Sequence, residues 1–222
     1  MLFCALGPAA APAQNEELAQ VLARMDKAAK AFQGMTVNVH KVSYTAIIKD
    51  ESVESGVVKM KHARVHEIDA LWQVAGDEPK TYEFRNRKVS VYLPKINTVQ
   101  IYDLGKHGEQ LDQFILLGFG TPVADLEKSY TIRLLDQNPL GGAPVAHLEL
   151  MPTSAEVTNY VKRIELWIST DSGYPVQEKL HQGSGNYLLF TYSGLKLSPV
   201  PTDKELELKL PPGVQKEYEG KN

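Results

Sequence analysis

The sequence predicts a mainly β (α+β) fold, an antiparallel meander with one N-terminal helix and one short helical insert. Three observations carry that expectation. From Arg163 to Ser169 the apolar residues Ile164, Leu166 and Ile168 alternate with Arg163, Glu165, Trp167 and Ser169, the period of a strand with one wetter face. Runs of this kind recur from Met35 to Leu104 and from Tyr130 onward, separated by clusters of Gly, Pro, Asn and Asp. Helical spacing is confined to a stretch before Gly34 and another after Gly108.

The elements follow in order. Asn15 to Phe32 places Leu18, Val21, Leu22, Met25, Ala29 and Phe32 at steps of three and four, with Asn15 as N-cap, Glu16 and Glu17 at the positive end of the dipole and Gly34 as the stop. The apolar face of this helix serves either core packing or a ligand. Strands are expected at Thr36 to Lys49, Ser52 to Lys61, Ala63 to Ile68, Leu71 to Val74, Thr81 to Arg85, Lys88 to Leu93 and Thr98 to Asp103. Asp50-Glu51, Gly76 to Pro79, Arg85-Asn86-Arg87 and Pro94 to Asn97 have the composition of their turns. Strands so closely spaced pair antiparallel, because a parallel crossover needs about a dozen residues or more.

Gln110 to Leu117 returns to helical spacing through Leu111, Phe114, Ile115 and Leu117. Gly118-Phe119-Gly120 interrupts it, and Thr121-Pro122 reads as the N-cap and first position of a second short helix through Lys128. Such an insert covers one end or face of a sheet, either as a mobile lid or as a rigid plug. Strands resume at Tyr130 to Leu135 and Ala143 to Met151, and Pro152 to Asn159 reads as a polar loop. The last meander comprises Arg163 to Ser169, Pro175 to Gln182, Asn186 to Tyr192 and Asp203 to Leu210, where Leu206, Leu208 and Leu210 alternate with charged residues.

A chain of 222 residues fits one β-rich domain, here expected over residues 14–222. The net charge of −3 and pI near 6.1 argue against a nucleic-acid partner, which would require a basic stripe. No apolar run approaches the ~20 residues needed for a membrane-spanning helix. Residues 1–13 hold a short apolar run, Leu2 to Gly7, and an Ala11-Pro12-Ala13 triplet, which reads as the h-region and cleavage site of a truncated secretory signal lacking its basic n-region. The alternative is a non-structural terminus. Cleavage after Ala13 would remove Cys4, the one cysteine.

Catalytic, metal and cofactor motifs are not found. The histidines are His40, His62, His66, His107, His147 and His181; His62 and His66 on one strand face would stand ~13 Å apart, too far for one metal. Gly118-Phe-Gly-Thr-Pro does not complete a dinucleotide fingerprint, and no Gly-x-Ser-x-Gly elbow occurs. Asp125, Glu127 and Glu165 read as solvated carboxylates, and Lys59 to Arg64 as a solvated basic strand face. The aromatic residues read as core taken singly. The expectation is a protein that is not an enzyme.

The order of these elements, with Tyr82-Glu-Phe-Arg-Asn-Arg-Lys-Val-Ser-Val-Tyr-Leu-Pro-Lys in the first meander, Lys162-Arg-Ile-Glu-Leu-Trp-Ile-Ser-Thr-Asp-Ser-Gly-Tyr-Pro-Val in the last, and a terminal Leu210-Pro-Pro-Gly-Val, resembles the outer-membrane lipoprotein carrier family (LolA-like, lipoprotein-sorting proteins). The likeness covers nearly the whole chain after Asn15. It implies a curved antiparallel sheet forming an incomplete β-barrel, with the N-terminal helix and the helical insert as a lid over an apolar cavity. In that family the cavity holds acyl chains of lipoproteins in transit through the periplasm toward the outer membrane. Leu18, Leu22, Met25 and Phe32 of the helix and Phe114, Leu117 and Phe119 of the insert would then line the lipid. The implied partners are lipidated proteins or lipids, an inner-membrane donor and an outer-membrane acceptor, for a monomeric carrier. The arginine that latches the lid in the family has no motif here, Arg64, Arg85 and Arg87 being candidates. Two rivals stand beside the carrier: a periplasmic signalling module of the anti-sigma-factor regulator type that binds a protein partner, and a structural envelope protein.

Overall fold

The computed structural model describes residues 11–64, 67–103 and 117–219. The first part of the chain forms helix α1 (Ala11–Ala31) and strands β1 (Gly34–Thr45), β2 (Asp50–Arg64), β3 (Glu67–Ala75), β4 (Lys80–Arg85), β5 (Lys88–Leu93) and β6 (Thr98–Asp103). Helix α2 (Val123–Ser129), β7 (Tyr130–Asp136), β8 (Val145–Pro152) and helix α3 (Ala155–Tyr160) come next. The chain then forms β9 (Arg163–Ser169), β10 (Pro175–His181), β11 (Tyr187–Lys196) and β12 (Gln215–Glu219). The twelve strands make one sheet in the order β12-β6-β5-β4-β3-β2-β1-β11-β10-β9-β8-β7. Its outer strands, β12 and β7, are not paired with each other, so the barrel is open. α1 and α2 cover its concave face.

Alternation decides which side chains face α1. Met35, Val37 and Val39 of β1, Met60 of β2 and Ile68 and Ala70 of β3 are buried in one cluster with Ala28 of α1 and Phe32 just after it. Leu134 of β7, Ala146, Leu148 and Leu150 of β8 and Ile164, Leu166 and Ile168 of β9 form the second, with Val21 and Met25 of α1 and Val123 and Leu126 of α2. Spaced at i, i+4, i+7 and i+11, Val21, Met25, Ala28 and Phe32 make one stripe that bridges both halves of the sheet. The Asp171-Ser172-Gly173 turn locks against this helix. A Cβ on Gly173, whose φ is +75°, would lie 2.8 Å from the Arg24 carbonyl, and the Tyr174 hydroxyl donates to the Ala28 carbonyl at 2.9 Å.

Several expectations need correction. α1 begins at Ala11, so Asn15 lies inside it rather than capping it; alanine favours the helix, and Pro12 is tolerated in a first turn. Gly34 opens β1 instead of ending α1. β1 stops at Thr45, and Ala46 to Lys49 form the turn, with Lys49 at φ 52°, while Asp50 and Glu51 belong to β2. The expected strand Ala63 to Ile68 is divided between β2 and β3, which pair through Arg64 and Glu67. Pro122 is the N-cap of α2 rather than its first residue. The loop Pro152 to Asn159 contains α3. The helix expected over Gln110 to Leu117 lies outside the described residues except for Leu117.

The largest correction concerns the end of the chain. Asp203 to Leu210 is not a fourth meander strand. A capping box closes a 3-10 turn at Asp203–Glu205, in which Glu205 accepts from the Thr202 backbone N–H at 3.0 Å and from its hydroxyl at 2.9 Å. The chain leaves β11 and runs as a strap across the outer face of the sheet. Val200 sits against Gly34 of β1, Glu205 and Asp203 pair with Lys59 and Lys61 of β2 at 2.9 and 2.6 Å, and the Leu208 N–H donates to Glu83 of β4 at 2.8 Å. The run Lys59 to Arg64 is thus in part a seat for the strap. Gln215 N–H donates to the Asn97 carbonyl at 3.0 Å, which starts β12 parallel to β6, the one parallel pair among the described strands. β12 is exposed at every residue, so it has no alternation to betray it.

Leu206 is the strap's buried anchor, 1% exposed. Leu206→Ala is expected to destabilise the protein by about 2–5 kcal/mol, read as a lower urea midpoint. Lys59→Ala, at an exposed ion pair, is expected to shift the midpoint far less; equal shifts would mean that ion pairing rather than burial holds the strap.

Candidate functional site

The registers place the concave-face side chains of β1 to β5 and β10 to β11 in rows across the strands. Met35, Met60, Ala70, Phe84 and Val89 form one row, and Val37, Val58, Trp72, Tyr82 and Val91 the next. Tyr192, Val39, Gly56, Val74 and Lys80 follow, and then Glu178, Phe190, Lys41 and Glu54. Met35, Met60 and Ala70, under α1, are fully buried, whereas Val58, Trp72, Tyr82, Phe84, Val91 and Phe190 are only partly buried. The Trp72 and Tyr82 rings stack at 5.2 Å and those of Tyr82 and Phe84 at 6.5 Å. The face thus changes from sealed apolar core through a partly accessible aromatic row to charge, with Val39 and Val74 buried between the last two.

At the charged end Lys41 and Lys80 both bond Glu54, at 2.7 and 2.5 Å. Burial opposes the charge on Glu54, but the hydrogen bonds from the two lysines outweigh it and hold its pKa below the ordinary value. The Glu54 bond in turn raises Lys80 above the ordinary lysine value. Lys41 Nζ stands 5.5 Å from the Trp72 ring centroid, and the Trp72 indole N–H is buried without an acceptor. On β10, Glu178 is 4% exposed. It accepts from the Tyr192 hydroxyl at 3.0 Å through one oxygen, while the other has no partner. Burial pushes its pKa up to about 8, so it is neutral at pH 7.

The residues expected to line a lipid are distributed as follows. Met25 and Phe32 are buried, and Leu18 and Leu22 are half-buried against the β7–β9 core. Leu117 and Phe119 are both 1% exposed. Phe119 packs edge-on against Tyr192 at 5.0 Å and stacks on Tyr174 at 6.1 Å. A Cβ on Gly120 would come within 2.9 Å of Phe32 and His62, so this glycine permits close packing. Phe114 lies outside the described residues, as do His66 and His107. Of the latch candidates, Arg85 faces outward, 3.3 Å from Asp69 and 3.6 Å from Asp203 of the strap, and so does not latch the helices.

A second polar network lies on the outer face. His147 bridges Asp136 and Glu165 at 3.1 and 2.8 Å, and His181 meets Glu165 at 2.5 Å. Glu165 therefore belongs to a half-buried network and not to a freely solvated face. No group of His, Cys, Asp or Glu among the described residues has metal-holding geometry. A cavity of about 360 Å³ lies between the strap and β2–β4, lined by Lys59, Gln73, Thr81, Glu205, Glu207 and Lys209 among others. It is polar and on the opposite face from the aromatic band. No described helix is long and apolar enough to cross a membrane.

Sequence reasoning missed Lys41, Glu54, Lys80 and Glu178. The signal was present: each is a charged residue at the parity of its strand's inward apolar positions, Lys41 after Val37 and Val39, Glu54 before Val58 and Met60, Lys80 before Tyr82 and Phe84, Glu178 before Leu180.

Comparison with solved structures finds the same architecture at low sequence identity. MucB, also crystallised with MucA, aligns with a TM-score of 0.53 and 14% identity over 91% of this chain and 65% of MucB. The Mycobacterium tuberculosis lipoprotein LppX aligns with a TM-score of 0.51 and 16% identity over 87% of this chain and 100% of LppX. The LolA superfamily protein NE2245 from Nitrosomonas europaea aligns at 0.41 and 16% identity, over 86% and 97%. This chain therefore spans about two thirds of the length of MucB. No family model and no curated protein matches the sequence. The fold, an open β-barrel with a helical lid, is the architecture shared with MucB and LppX.

The buried carboxyl gives a pH test. In the unfolded chain Glu178 regains an ordinary pKa near 4.5, below its folded value of about 8. Between these values the native state holds a proton that the unfolded chain has released, so stability is full below about 4.5 and falls as pH rises toward 8, by at most about 1.4 kcal/mol per unit. Glu178→Gln keeps an acceptor for Tyr192 and cannot ionise. Its melting temperature is expected to gain on the wild type steadily from about pH 5 to about pH 8; a constant difference across that range would refute a neutral buried carboxyl.

Proposed function

We propose that this protein is a periplasmic, non-catalytic binder that shields acyl chains of lipidated proteins, or free lipid, on the concave face and carries them toward the outer membrane. The observation that supports this reading is the set Val58, Trp72, Tyr82, Phe84 and Val91 on β2 to β5, with Phe190 on β11, left only partly buried on the face that a lid-bearing open barrel ordinarily seals. Apolar residues left partly accessible cost stability that closer packing would recover. An acyl chain laid along them gains about 0.8 kcal/mol for each buried methylene. A trough of this kind selects by length and apolarity, which suits a carrier of varied cargo.

A second reading, a signalling module that binds a protein partner, is favoured by a different surface. The β1–β2 turn presents Ile47 and Ile48 at 90% and 66% exposure, an apolar tip that a protein could cover.

Native mass spectrometry of protein purified from cells separates the two, co-purifying lipid supporting the carrier and a stoichiometric protein the signalling module. With the uncharged dye Nile red, Phe84→Ala/Phe190→Ala is expected to weaken binding about tenfold, the effect of losing about 1.5 kcal/mol of apolar contact. Ile47→Ser/Ile48→Ser is expected to leave it unchanged. Dye binding indifferent to Phe84 and Phe190 would sink the carrier reading.

A further inference from the structure

The accessible band is not apolar throughout, and its charged end has the makings of a recognition site. Lys41 and Lys80 share the single carboxylate Glu54, which leaves one positive charge in excess. Their side chains are only 18% and 25% exposed and that of Glu54 16%, so water screens the excess incompletely. Glu178, across Phe190 in the same row, is neutral at pH 7 and does not offset it. Lys95, at the neighbouring β5–β6 turn, is taken by Glu78 at 2.5 Å and adds nothing.

Trp72 supplies an independent observation. Its N–H is buried without an acceptor, while its ring stacks on Tyr82 and lies under Lys41. A buried donor left unpaired is destabilising. Two unmet demands, for negative charge and for an acceptor, therefore sit within one neighbourhood at the edge of the aromatic band. A hydrocarbon alone would answer neither.

We infer that this end of the concave face takes the anionic headgroup, carboxylate or phosphate, of an amphiphile whose hydrocarbon lies along Val58, Phe84 and Val91. The inference rests on the carrier reading and narrows it from any acyl chain to one bearing a negative head. Charge-assisted bonds from the lysines hold the head, and Glu54 keeps both ammonium groups in place when the trough is empty.

The test compares oleate with oleyl alcohol, which share a chain and differ in charge, by calorimetric titration of the full chain. The wild type is expected to bind oleate at least about tenfold more tightly than the alcohol. Lys41→Gln/Glu54→Gln/Lys80→Gln removes all three charges without orphaning one, and is expected to abolish the preference while keeping its affinity for the alcohol. Should that variant not fold, raising the salt from about 50 to about 500 mM with the wild type is expected to shrink the same preference. Equal affinities in the wild type, or a preference that persists in the variant and in salt, would overturn the inference and leave the carrier reading standing. Inorganic phosphate or acetate binding as tightly as oleate would overturn it in favour of a free anion. If neither oleate nor the alcohol binds, both readings fail together.

Discussion

A barrel that stays open has a concave face that nothing closes automatically, and the rest of this structure depends on how much of that face one helix can cover. α1 has 21 residues, a length of ~32 Å. Its stripe Val21, Met25, Ala28 and Phe32 is spent on the β7–β9 core and on the end of β1–β3 nearest Phe32. After Ala31 the chain turns directly into β1, so its coverage ends there. Beyond it, Val58, Trp72, Tyr82, Phe84 and Val91 on β2 to β5 are left only partly buried.

The strap on the opposite face addresses the complementary difficulty. Strands β2 to β5 are joined only to their neighbours, and the inner face of β3–β5 is incompletely packed, so this half of the sheet has less burial to hold its shape. The strap runs from β11 to the far edge across β1, β2 and β4, buries Leu206, and ties β6 to the C-terminal segment through β12. A connection that spans so many strands fixes their relative positions from outside. The concave face can then remain partly unfilled without the sheet folding in upon itself.

Most of this architecture was legible because strand parity and turn chemistry are local. β4, β5, β6 and β9 fall on Lys80–Arg85, Lys88–Leu93, Thr98–Asp103 and Arg163–Ser169, within a residue of expectation. Asn86 and Arg87 both adopt positive φ, as a two-residue hairpin turn requires. The elements that escaped notice are those whose pattern is set by distant chain. Leu206, Leu208 and Leu210 do alternate, and Leu206 is buried, but the face they meet is the outside of another part of the sheet rather than a paired strand. β12, exposed throughout, pairs with β6 from the point where the Asn97 carbonyl accepts from the Gln215 N–H. The candidate site was half legible: its aromatic residues were recognisable as inward-facing, but nothing in a single strand shows that Lys41, Glu54 and Lys80 converge.

The order of the rows bears on how a guest would enter and settle. A hydrocarbon tail gains most where water is most fully excluded, toward Phe84 and the sealed Met35–Met60 row, and nothing from the lysines. A charged head has the opposite preference, because an ion carried into that sealed row would lose its hydration without a partner. On the reading proposed above, the gradient along β1 and β2 would orient an amphiphile without any shape-specific contact, tail toward α1 and head toward Lys41 and Lys80. The same gradient explains why the fold tolerates three charged side chains at inward positions: each lysine is paired, the carboxylate is doubly bonded, and the cluster stands at the end of the face that the helix never reaches.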